Sequence, residues 1–261
     1  MASALRISIV QAHLAWEDAQ ANRTHFDELL APLKGKTDLI VLPEMFTTGF
    51  SMNAGPNAEP PGGPTQQWMQ LHADRSGAAV TGSYICGENG KYFNRLLFVE
   101  PGGKVHTYDK RHLFTLAGEH KSYQPGLKSL TLTWKGWRIR PLICYDLRFP
   151  VWSRNTDEYD LLFYVANWPD KRREAWKTLL AARAIENQAY CLGVNRVGTD
   201  EKGHYYSGDS SMFDFSGRLL MQLTDQEAVV TLKLDQADQQ AFRQKLNFLA
   251  DRDHFLIQPS N

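Results

Sequence analysis

The stretch Ile139-Arg-Pro-Leu-Ile-Cys-Tyr-Asp-Leu-Arg-Phe-Pro150 places one cysteine at the end of an apolar run and immediately before a polar turn. A thiol inside a buried strand is inert, whereas a thiol at a strand's carboxyl end faces the crevice of an α/β protein and is open to activation by its neighbours. Two other runs end in the same way. Asp38-Leu-Ile-Val-Leu-Pro-Glu44 ends on a carboxylate and Lys104-Val-His-Thr-Tyr-Asp-Lys110 on an ammonium, so Glu44, Lys110 and Cys144 are expected to meet at one sheet edge.

Strand-like runs recur at 6–11, 39–42, 78–85, 95–100, 104–108, 138–144, 161–166, 191–197, 210–215 and 228–234. Helical spacing occupies 21–33, 65–76, 173–188 and 236–246. The alternation predicts an α/β class with mixed sheets. In 173–188 one face gathers Trp176, Leu179, Leu180, Arg183, Ala184 and Asn187. Its polar end, Arg183, Glu186 and Asn187, reads as a buried hydrogen-bonding cluster tying helix to sheet, because buried polar groups need partners.

The chain has 261 residues, 43% of them hydrophobic, enough for a sizeable core. No Pro/Gly/Ser-rich linker divides it, so residues 1–261 read as one domain, with 53–64 as a surface loop. Basic and acidic residues balance at 29 each, leaving no overall field to gather nucleic acid or an anionic membrane. The expected partner is a small molecule. Cys86, Cys144 and Cys191 are too few for a disulfide framework and form no CxxC pair, which points to a reducing compartment. Cys86 and Cys191 lie inside predicted strands and read as core residues. The amino terminus lacks a signal-peptide core and no apolar run approaches the ~18 residues of a membrane span, so a cytoplasmic location is expected. No cofactor is called for, and the absence of HExxH or close His/Asp ligand spacing argues against a metal hydrolase.

The segments PEMFTTGF (43–50), YDKRHLF (108–114), CYDLRFP (144–150), ANWP (166–169) and ARAIENQAY (182–190) carry a resemblance over nearly the whole chain. The sequence resembles the nitrilase superfamily of carbon–nitrogen hydrolases and, within it, the short bacterial omega-amidases. The resemblance implies a four-layer α-β-β-α sandwich, paired with a second copy as a homodimer. It also implies a Glu-Lys-Cys triad: Cys144 attacks the amide carbon, Glu44 shuttles the proton, and Lys110 with the backbone N–H of Tyr145 stabilises the oxyanion. Ammonia leaves first, from a thioester that water then opens. Glu119 matches a second glutamate that the family places near the lysine, with an orienting role.

An omega-amidase acts on dicarboxylate monoamides such as 2-oxoglutaramate or 2-oxosuccinamate, so its pocket must hold a carboxylate, a task suited to a guanidinium. Arg172 and Arg148 are the candidates and Arg172 is the expected one, with Arg148 read in preference as an ion-pair partner for Asp146. Asn167 and Trp168 follow a strand end and are expected to wall the pocket, with Phe46, Phe50 and Phe114 excluding water. A carbamoylase, aliphatic amidase or nitrilase would use the same triad. A papain-like Cys–His hydrolase lacks its local signature around Cys144, and a non-catalytic scaffold would have lost a triad member.

Overall fold

Period-two alternation along the first strand builds two layers at once, since successive side chains leave opposite faces of a sheet. Leu5, Ile7 and Ile9 join one buried cluster that includes Trp137, Ile139, Leu161 and Leu192 of a second sheet. Val10 instead joins a cluster with Phe26, Leu30, Trp68 and Met69 of the helices on the far side. The computed structural model describes residues 3–258.

The first sheet holds β1 (Ala4–Gln11), β2 (Leu39–Val41), β3 (Ala79–Glu88), β4 (Lys91–Val99), β5 (Val105–Asp109) and β13 (Ala228–Asp235), in the order β13-β1-β2-β3-β4-β5. The second runs β10-β11-β9-β8-β7-β6, with β12 added on β11. Its strands are β6 (Leu132–Trp134), β7 (Trp137–Ile143), β8 (Leu161–Ala166), β9 (Tyr190–Asn195), β10 (Val197–Thr199), β11 (Tyr205–Phe213) and β12 (Leu219–Thr224). Both sheets are mixed. In each, a parallel centre (β1-β2-β3; β7-β8-β9) is flanked by antiparallel strands.

Helices α1 (Ala19–Leu30) and α3 (Pro64–Ser76) cover the first sheet, and α6 (Arg173–Asn187) covers the second, completing the α-β-β-α order. Asp18 caps α1 by accepting from Ala21 N–H at 2.9 Å, and Pro64 opens α3, where its missing N–H is harmless. The helix α6 lies close on β9 because residue 193 is glycine: a Cβ there would stand 2.4 Å from Trp176 and 2.5 Å from Leu180. Burying one such leucine fully contributes about 1.5–3 kcal/mol, so this approach anchors the layer. Short helices α2 (Ala54–Asn57), α4 (Glu119–Ser122) and α5 (Pro150–Ser153) sit in connections, and α7 (Gln236–Lys245) follows β13.

The four long helices fall within three residues of their expected limits, and every expected strand run has its counterpart. The run 191–197 divides at Arg196 into β9 and β10, and the loop 53–64 contains the one-turn α2. Two strands carry no alternating signal. The first, β6, is three residues long and is defined by its pairing with β7; the second, β12, is an edge strand whose Leu219 and Leu220 are exposed.

Candidate active site

The carboxyl ends of β2, β5 and β7 bring the three sequence-predicted residues together, though not at one sheet edge. Glu44 and Lys110 leave the first sheet, and Cys144 leaves the second. The site therefore lies at the ends of two facing sheets.

After β2 the chain turns through Pro43 and Glu44, held to β3 by the Met45 N–H on the Ser83 hydroxyl (2.9 Å) and the Phe46 N–H on the Ser83 carbonyl (3.0 Å). Lys110 continues from β5, its N–H donating to the Asn94 carbonyl at 3.0 Å. Its ammonium, fully buried, donates to Glu44 Oε1 at 2.9 Å and to both Glu119 oxygens at 3.0 Å. The Phe50 ring lies 5.0 Å from the same nitrogen, closing it off from water. Burial alone would lower the lysine's pKa; the Glu119 and Glu44 carboxylates outweigh it and hold the ammonium well above its ordinary range. Burial pushes Glu119 up, against the pull of Lys110.

Glu44 is fixed from every side. Asn94 Nδ2 donates to Oε1 at 2.8 Å, the Asn167 N–H donates to Oε2 at 2.8 Å, and Asn167 Nδ2 donates to the Glu44 carbonyl at 2.6 Å. Glu119 is fixed in turn by the Phe114 N–H, 2.5 Å from Oε2. A carboxylate so held keeps one orientation before any substrate arrives, which is the preorganisation that proton transfer needs.

Cys144 is the first residue past β7 and adopts φ +43°, a left-handed conformation that is uncommon for any residue but glycine. This turns the chain sharply between strand and 3₁₀ turn. Beneath it, buried Asp146 accepts from the Ile143 N–H (3.1 Å), the Tyr108 hydroxyl (2.7 Å), the His112 N–H (3.0 Å) and His112 Nδ1 (2.8 Å). The unusual backbone is thus overdetermined by its surroundings, the condition under which such conformations persist. Burial pushes the Cys144 thiol well above its ordinary pKa; Glu44 adds to the rise and Lys110 opposes it. The resting group is therefore a thiol.

A cavity opens on Cys144. Tyr145, Asn167, Trp168, Arg172, Phe50, Phe114 and Arg148 line it. Phe46 does not. It is fully buried between Phe26 and Trp68 (ring centroids 5.4 and 5.6 Å), because the turn after Glu44 directs it outward into the helix-covered core. Arg148 also departs from expectation. Asp146 points under the turn, and the Arg148 guanidinium lies 4.8 Å over the Trp168 ring. Arg172 lies 5.1 Å over the Phe114 ring. Among the described residues neither guanidinium has a carboxylate partner.

Cys86 and Cys191 are fully buried in β3 and β9. The cluster on α6 ties the helix to the turn that carries Cys144: Arg183 donates to the Leu147 carbonyl at 2.7 Å and to Glu186 at 2.9 Å, while Asn187 accepts from the Asn155 N–H at 2.8 Å. Two supporting residues escaped sequence reasoning. Asn94 bridges to both glutamates, and Asn195 clamps Trp168 by accepting its N–H (2.8 Å) and donating to its carbonyl (2.9 Å). Each is a polar residue in or ending an otherwise apolar run, which was the available signal.

Comparison with known proteins places the chain in a family. An omega-amidase, YafV, of Yersinia enterocolitica is 48% identical over 258 residues, spanning 98% of this chain and 99% of that one. A 2-oxoglutaramate amidase of Bacillus subtilis is 30% identical, spanning 94% and 96%. The crystal structure of a CN-hydrolase superfamily protein from Xanthomonas campestris, with an arsenic adduct in its active site, superposes with a TM-score of 0.96 at 45% identity, covering 98% of this chain and all of that one. The carbon-nitrogen hydrolase family model matches residues 6–244, and this chain belongs to that family of enzymes.

Proposed function

We propose that the protein is an omega-amidase, releasing ammonia from the terminal amide of dicarboxylate monoamides such as 2-oxoglutaramate or 2-oxosuccinamate. One observation carries the reading: a lysine locked between two buried carboxylates acts electrostatically on a buried thiol, and that thiol lines a cavity with two guanidiniums that have no carboxylate partner among the described residues. Glu44 takes the Cys144 proton as the sulfur attacks the amide carbon. The oxyanion forms beside Lys110 and the Tyr145 N–H. Glu44 returns the proton to nitrogen, the C–N bond breaks, and ammonia departs from a thioester. Water, deprotonated by Glu44, then adds to the thioester carbonyl; the C–S bond breaks and the thiol regains its proton. Glu119 keeps Lys110 charged and aimed. No step calls for a cofactor.

Carboxylate recognition falls to Arg172, with Arg148 beside it in the same cavity. Truncating one side of a desolvated carboxylate–guanidinium contact typically costs about 2–5 kcal/mol, so Arg172→Ala is expected to lower kcat/KM for 2-oxosuccinamate at least about tenfold, and much less for butyramide. Ammonia release across 2-oxoglutaramate, 2-oxosuccinamate, succinamate, glutamine, N-carbamoyl amino acids, butyramide and simple nitriles tests the whole reading. If butyramide matched the monoamides in the wild-type enzyme, a general aliphatic amidase would replace the proposal.

We further read the chain as a single catalytic unit over 1–261 that works as a homodimer in the cytoplasm. Three free, buried cysteines suit a reducing compartment, and no helix among the described residues is long and apolar enough to cross a membrane. The carboxyl-terminal segment supports the dimer: Leu249 is buried, but Phe248 is 60% exposed and Leu256 94%, with Leu127 and Val151 exposed as well. Such an apolar surface suits a second copy. Light scattering at micromolar concentration is expected to give twice the chain mass, since specific homodimer interfaces are normally large enough to persist there; a monomer only would remove this part of the proposal.

A further inference from the structure

The cavity's remaining wall is the tip of the β10–β11 hairpin, residues 200–204, and it is built as a fixed turn. Asp200 Oδ1 accepts the N–H groups of Lys202 and His204, both at 2.9 Å, and Oδ2 accepts the Tyr206 hydroxyl at 2.9 Å. The Asp200 N–H donates to the His204 carbonyl at 3.0 Å, and the Gly203 N–H to the Asp200 carbonyl at 2.9 Å. Gly203 closes the turn at φ +76°, which suits a residue without a Cβ. Asp200, the one carboxylate among the described residues that line the cavity, is therefore occupied by three donors of its own hairpin.

Lys202 leaves that turn exposed and lines the cavity. Among the described residues its ammonium has no carboxylate within ion-pair distance and lies 5.5 Å over the Trp16 ring. Trp16 in turn rests against the loop that follows Glu44, where a Cβ on Gly49 would stand 3.2 Å from the indole. Backbone bonds thus fix where the lysine starts, and an aromatic face beside the entrance holds its charged end, with the Glu17 carboxylate near enough to feel that charge but beyond ion-pair distance and itself bonded to Ser51 and Asn53.

Resting on the monoamide reading above, we propose that Lys202 is a specificity-determining residue: its ammonium attracts and holds the substrate's carboxylate from the hairpin side, independently of Arg148 and Arg172. The bland alternative is a solvated surface lysine resting on a tryptophan. The two differ in substrate selectivity, which a surface lysine would not move.

The test compares kcat/KM for succinamate with kcat/KM for butyramide, two amides of similar length, in the full-length enzyme. In Lys202→Met the succinamate-to-butyramide ratio is expected to fall about fivefold and in Lys202→Glu about twentyfold, the change residing in KM for succinamate, with Lys202→Arg restoring the ratio to within about twofold of wild type. A ratio that stays within about twofold of wild type in both the Met and Glu variants, or a loss shared equally by both substrates, overturns the proposal. A wild-type enzyme with no preference for succinamate would remove the carboxylate reading and this inference together. A wild-type preference lost in Arg172→Ala but untouched in Lys202→Glu would remove this inference alone.

Discussion

Cys144→Ala is expected to leave no measurable turnover, a loss of at least about 10⁴-fold, because covalent catalysis has no route without the sulfur. The fold should survive, since the left-handed turn at residue 144 is held by Asp146 and its donors and not by the thiol. Two measurements check the assignment together: ammonia release from 2-oxosuccinamate, and mass spectrometry of the wild-type enzyme after iodoacetamide. One adduct on Cys144 should track inactivation, because Cys86 and Cys191 are fully buried in strands. Inactivation that tracked labelling of either of those two cysteines would overturn the assignment.

Lys110→Met is expected to damage both catalysis and stability. Loss of a positioned oxyanion donor typically lowers turnover about a hundredfold to a thousandfold. In addition, Glu44 and Glu119 would be left buried without the cation between them, and breaking a buried pair on one side costs about 3–5 kcal/mol. That cost has a pH signature. Burial already raises the Glu119 carboxyl, and without the ammonium that opposes it the folded chain binds this proton more tightly than the unfolded one, so stability falls as pH rises. In the wild type the ammonium is held above its ordinary range, so its contribution is fully present below about pH 10 and is lost only in strong alkali. The deficit in melting temperature between variant and wild type should therefore be larger at pH 8 than at pH 5. A deficit independent of pH would show that Glu119 does not depend on Lys110 for its charge.

The chemistry-bearing residues were legible because each ends an apolar run, and a strand's end is where a buried backbone delivers a side chain to a crevice. Periodicity could place Glu44, Lys110 and Cys144 at strand ends, but it could not show that they come from different sheets. The aromatics near Glu44 expose the limit. Phe46 and Phe50 are alike in sequence terms, yet the turn sends the first into the core behind the sheet and the second over Lys110. For Arg148 the sequence offers two readings, the pocket and a pair with Asp146, and favours the second because Asp146, two residues away, is the nearest opposite charge. Only the 3₁₀ turn reveals that Asp146 is drawn under the strand by Tyr108 and His112, leaving the arginine to the cavity. Asn94 and Asn195 were silent for a similar reason: their partners are distant in sequence, and a lone asparagine in an apolar run does not announce what it binds.

The division of the site between two sheets sets a tolerance on the whole molecule. Glu44 and Lys110 are mounted on one plate and Cys144 on the other, so in the proposed reaction the distance between them is calibrated by side chains away from the cavity, such as Ile9, Phe98 and Ile139 in the seam between the plates. A small slip along that seam would leave every strand ladder intact and still misalign the chemistry. Substitutions deep in the seam would then imitate active-site lesions, and the seam's packing is as much part of the catalytic apparatus as the residues at its rim.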